Sequence, residues 1–110
     1  MNNLYEFTMK VLPGESSNMP DALKGAYVAC YAAALDYQAA LKKGVQAIAQ
    51  MGYKFDDIKN GVREVPLDSW AAYIASVWPE YADQMPSAEQ LPTVVEDGQV
   101  FFGPFIGFSK

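Results

Sequence analysis

ALKGAYVACYAAALDYQAALKKGVQAIAQM, residues 22 to 51, reads either as one long alanine-rich helix or as a strand followed by a helix. The second reading is favoured. Gly25 precedes Ala-Tyr-Val-Ala-Cys-Tyr-Ala, in which Tyr27, Val28, Cys30 and Tyr31 suit a pleated surface. Asp36 then stands where an N-cap belongs, because a short carboxylate accepts from the free amides of a first helical turn. From there Tyr37, Ala40, Leu41, Gly44, Val45, Ile48 and Met51 recur at three and four, an amphipathic stripe that predicts a helix over 36–51. Gly52 is the natural residue to end it.

On the amino-terminal side, Leu4 to Leu12 alternate as a strand with one buried face, with Leu4, Glu6, Thr8 and Lys10 against Tyr5, Phe7, Met9 and Val11. Pro13-Gly14 stops this strand, and Glu15 to Asp21 form a mobile or binding loop rich in turn residues. After the helix, Tyr53 to Ile58 begin a strand that Asn60-Gly61 turns or bulges before Val62 to Val65 resume it. Strand, helix and strand in this order make a crossover unit. Asp68 caps a second helix carrying Trp70, Tyr73, Ile74, Val77, Trp78 and Tyr81 at helical spacing, which Pro79 kinks or restarts. Met85 to Pro92 read as irregular, with one turn of helix from Ser87; Asp97-Gly98 then turn the chain into an aromatic strand that Pro104 breaks. The expected fold is one α+β domain over 1–110. It is a two-layer sandwich with a mainly antiparallel four-stranded sheet and two helices on one face, as in ferredoxin-like arrangements.

With 110 residues, 51% hydrophobic and 19% charged, the chain builds a core without staples. The charge of −5 is unevenly placed. Residues 1–63 carry seven basic and six acidic side chains, whereas 64–110 carry seven acidic ones and only Lys110. Such a half repels nucleic acid and anionic membranes and steers basic proteins inward, although an acidic surface also serves solubility alone. The opening Met-Asn-Asn-Leu-Tyr-Glu has no basic and apolar leader, and the single Cys30 makes no internal disulfide, so a cytoplasmic protein is expected.

The chain has no histidine, which removes Ser-His-Asp and Cys-His arrangements and the common zinc patterns. No phosphate-cradling glycine motif is present. Asp56-Asp57 are neighbours on a strand and point to opposite faces, and Glu96-Asp97 look like turn formers. Cys30 reads as a small buried hydrophobe, and Lys42 and Lys43 as a solvated helix face. The expectation is a protein that is not an enzyme and needs no cofactor or metal.

Ten of the fifteen aromatic residues lie at or after Tyr53. At helical spacing such rings are mostly core, but Gly103, Pro104 and Gly107 weaken the last strand and leave some of its rings available. Exposed rings among carboxylates suit a basic protein partner. The segment Gly25-Ala-Tyr-Val-Ala-Cys-Tyr leading into Asp36-Tyr-Gln-Ala-Ala-Leu, with the acidic balance and absent histidine, resembles compact bacterial immunity proteins that neutralise secreted toxins. That resemblance implies a cytosolic inhibitor covering a basic toxin domain. The expected contacts are Glu80, Asp83, Glu96 and Asp97 for charge, with Trp78, Tyr81, Phe102 and Phe105 as anchors. Two other classes stay open. One is a small-molecule or enzymatic pocket using Tyr27, Tyr31, Tyr53 and a carboxylate; the other is a structural protein that self-associates through its last strand.

Overall fold

The computed structural model describes residues 2–13 and 23–109. The loop expected over 15–21 lies outside the described residues. Four strands, β1 (Asn3–Pro13), β2 (Leu23–Ala34), β3 (Tyr53–Glu64) and β4 (Val100–Ser109), form one sheet in the order β3-β1-β2-β4. Every neighbouring pair is antiparallel. The α+β class and the antiparallel four-stranded sheet are therefore as the sequence indicates. Since β1 is antiparallel to both its neighbours, β2 and β3 run parallel on either side of it, joined through helix α1 (Tyr37–Gln50). This is a single crossover unit split by β1, where a ferredoxin-like chain has two.

The helices differ from expectation in being shared between both faces of the sheet. Phe7, Met9, Val11, Val28, Cys30 and Ala32 face α1, which lays Ala40, Gly44 and Ile48 onto them. Leu4, Ala29, Tyr31 and Ala33, of the opposite parity, are covered by α2 (Trp70–Val77) and α3 (Leu91–Glu96) through Trp70, Ile74, Leu91 and Val95. The cause lies in β2, where alanines and Cys30 alternate with Ala29, Tyr31 and Ala33, so neither face is polar enough to meet water. Only the ends of the α1 stripe, Tyr37 and Met51, are exposed.

Asp36 caps α1 as its sequence position predicts, its Oδ1 accepting from the Ala39 amide at 2.8 Å. Gly52, at φ 90°, turns the chain out of α1. Gly61, at φ 74°, sits in a bulge where the three residues of β3 between Lys59 and Arg63 lie opposite the single Phe7 of β1. Asp68 does not cap α2. A 3-10 turn, Leu67–Ser69, precedes the helix, and no side chain bonds its first amides. Pro79 ends α2 after Val77, because the residue before a proline avoids helical backbone. The turn from Ser87 forms a capping box, with Ser87 Oγ accepting from the Gln90 amide at 3.2 Å and Gln90 Oε1 from the Ser87 amide at 3.0 Å. It leads into α3, a helix whose Pro92 reads as irregular in the sequence but is tolerated in a first turn. Pro104 does not break β4, an edge strand with a bulge where the two residues between Phe102 and Phe105 match one residue of β2, Ala29.

Helix α1 approaches the sheet most closely at Gly44. A Cβ there would lie 2.7 Å from Phe7 Cζ and 2.9 Å from Cys30 Sγ. Gly44→Ala is expected to lower stability by about 1 to 3 kcal/mol in thermal unfolding. The sign is the test, since glycine to alanine in an unhindered helix stabilises.

Candidate functional site

The connection from β3 to β4 packs on one sheet face and has no lysine or arginine between residues 64 and 109. Asp68, Glu80, Asp83, Glu89, Glu96 and Asp97 are all exposed on it. At its centre the chain leaves α2 at Trp78, whose backbone, at φ −131° and ψ 57°, turns away from the helix before Pro79. The indole Nε1–H donates to the Tyr31 hydroxyl at 2.8 Å, and that hydroxyl is 2.9 Å from the Tyr73 hydroxyl. The ring rests where β4 has no side chain, since a Cβ on Gly103 would lie 3.4 Å from both Trp78 and Ala29. Tyr31 itself is sealed, stacked on Phe101 at 5.1 Å and edge-on to Trp70 at 5.7 Å. Trp70 anchors the layer by donating its Nε1–H to Pro86 O at 2.7 Å.

A recess of about 410 Å³ opens beside Trp78, lined by Val77, Trp78, Pro79, Glu80, Tyr81 and Pro104. A shallower depression of about 720 Å³ follows along the same layer, with Asp83, Met85, Glu89 and Phe101 in its lining. Three of the expected contacts, Trp78, Glu80 and Tyr81, thus share one recess, and Asp83 borders the next. Glu96 lines a third hollow with Asn2 and Leu67, and Asp97 caps the end of α3. Phe102 and Phe105 do not belong to this surface. The bulge between them keeps both rings on the α1 side, 6.2 Å apart, with Phe105 also 5.4 Å from Tyr53. Strand alternation counted through Pro104 misses the extra residue. Phe105, at 37% exposure, is the more open of the two.

The most constrained charge is one that the sequence does not single out. Glu6 is buried on the face covered by α2 and α3, opposite Tyr31 on β2 and Arg63 on β3, and Arg63 Nε donates to its Oε1 at 2.8 Å. Strand alternation sets Glu6 on the face opposite Phe7, Met9 and Val11, which a strand with one buried face leaves to water. It is buried because α2 and α3 cover that face as well, and only cross-strand register shows that Arg63 meets it. Lys43 is likewise only partly exposed. Its Nζ donates to Ala33 O at 2.7 Å and Gly98 O at 3.0 Å, tying α1 to the turn before β4.

Tyr31, Tyr73 and Cys30 pack within the two cores. Burial, then the Tyr73 hydrogen bond, push the Tyr31 phenol up, and the Glu6 charge adds to this. Burial also raises the Tyr73 phenol and, with Glu6 behind it, the Cys30 thiol, so all three stay protonated. Tyr27, Tyr31 and Tyr53 are not brought together, for Tyr31 is closed off, Tyr27 lies under Lys59 Nζ at 5.4 Å, and Tyr53 is on the opposite face. Asp56 pairs with Lys10 at 3.3 Å, while Asp57 Oδ1 accepts from the Ile58 amide at 2.8 Å. Among the described residues no group of three or more acidic or cysteine side chains is placed to hold a metal, and no helix is long and apolar enough to cross a membrane.

Fold and surface together define an α+β protein with one antiparallel sheet between helices and an acidic, ring-bearing helical layer. Compared with protein-family models, curated proteins and solved structures, the chain finds no match.

Proposed function

We propose that this protein is a non-enzymatic binding module whose helical layer docks a basic protein surface, as an immunity protein covers the cationic cleft of a toxin. One observation carries the reading. The partly exposed rings of Trp78 and Tyr81 lie in a layer whose exposed charges, from Asp68 to Asp97, are all carboxylates. Half-buried aromatics give anchoring area at low entropic cost, and the surrounding negative charge speeds encounter with a cationic partner.

The test is binding of a basic protein domain, drawn from the products of the genes flanking this chain's own, measured at low and high salt. Between about 0.02 and 0.5 M salt, affinity is expected to fall at least about tenfold, mostly through the association rate. Replacing Glu80, Asp83 and Glu89 by their amides should flatten that dependence. Affinity independent of salt and of these substitutions would count decisively against the reading.

A further inference from the structure

We infer that the recess between the end of α2 and the bulge of β4 receives one basic side chain of the partner, an arginine or lysine, laid along Trp78 with its charge at Glu80. The inference rests on the docking role proposed above and names the chemistry of its central contact.

The lining matches a side chain that is apolar along its stem and charged at its tip. Val77, Pro79 and Pro104 supply apolar wall, Trp78 and Tyr81 supply rings, and Glu80 supplies the only charge. Tryptophan is the best of the aromatic platforms for a cation. Its orientation is already fixed, since the indole N–H is given to Tyr31 at 2.8 Å. For the same reason the ring has no donor left for a ligand carbonyl, so it offers its π surface. A proline-rich segment held by indole donation is therefore a poorer occupant. Nor does the chain fill the site from within, because among the described residues Glu80 forms no ion pair. No lysine or arginine occurs between residues 64 and 109 to supply one.

The experiment is an amide- and indole-resolved NMR titration of the full chain at low ionic strength. Its probes are acetyl-Gly-Arg-Gly-amide and the analogue with citrulline, which keeps the shape and loses the charge. The arginine peptide is expected to move the Trp78 indole, Glu80 and Tyr81 signals to saturation. The citrulline analogue should bind at least about tenfold more weakly, and Glu80→Gln should remove a similar factor from the arginine peptide alone. Asp68→Asn should leave the response unchanged. Equal responses to the two peptides, or arginine shifts spread evenly over Asp68, Glu89 and Glu96, overturn the inference. Binding of the basic domain that stays salt-sensitive yet is unaffected by Glu80→Gln also overturns it while leaving the docking role intact. Salt-independent binding removes both.

Discussion

Arg63→Leu is expected to cost about 3 kcal/mol of folding stability, because it leaves the Glu6 carboxylate inside the protein without its counter-charge. The Glu6 side chain is 8% exposed and that of Arg63 75%, so the burial penalty falls almost entirely on the acid. Water reaching the arginine side moderates the loss, which places it at the low end of the range for broken buried pairs. The double variant Glu6→Leu/Arg63→Leu separates the penalty of the stranded charge from the worth of the pair. It should be more stable than Arg63→Leu alone, since an apolar pair can fill the same site without a desolvated charge. Urea unfolding of the three proteins checks this. A single variant within about 0.5 kcal/mol of the parent would mean that Glu6 is solvated in the folded state.

Tyr31→Phe is expected to cost about 2 kcal/mol although no ring is lost. The stacking on Phe101 and the edge contacts to Trp70 and Tyr73 persist, but Trp78 Nε1–H and the Tyr73 hydroxyl both lose their partner. Trp78 should then exchange its indole proton faster and show a red-shifted, less ordered emission. Trp70, bonded to Pro86 O, should not change and serves as the internal reference. If Trp78 behaves as before in Tyr31→Phe, the hydroxyl does not set its position, and the recess is shaped by Gly103 and Pro79 alone.

Much of the architecture is legible locally. The alternation of β1, the Asp36 cap, the Gly52 stop and the Asn60-Gly61 bulge each depend on interactions within a few residues. The division of helices over both faces is less local. It follows from β2 being apolar on both sides, a pattern that continuous alanine also presents in a helix. The acidic layer was legible as a run without cations, and Trp78, Glu80 and Tyr81 fall together because one helix end places them. Phe102 and Phe105 do not join them, because one extra residue at a bulge changes which face a ring occupies. The Glu6–Arg63 pair and the anchoring of Lys43 depend on register between segments 57 and 55 residues apart in the chain, which no local pattern encodes.

The register shifts of the outer strands have a consequence for assembly. Both outermost strands carry a bulge, β3 around Gly61 and β4 around Pro104, which has no amide hydrogen to offer. A second molecule aligning its own margin there falls out of step after a few residues. Sheet-to-sheet growth into fibres is thereby opposed at each border, even in concentrated solution.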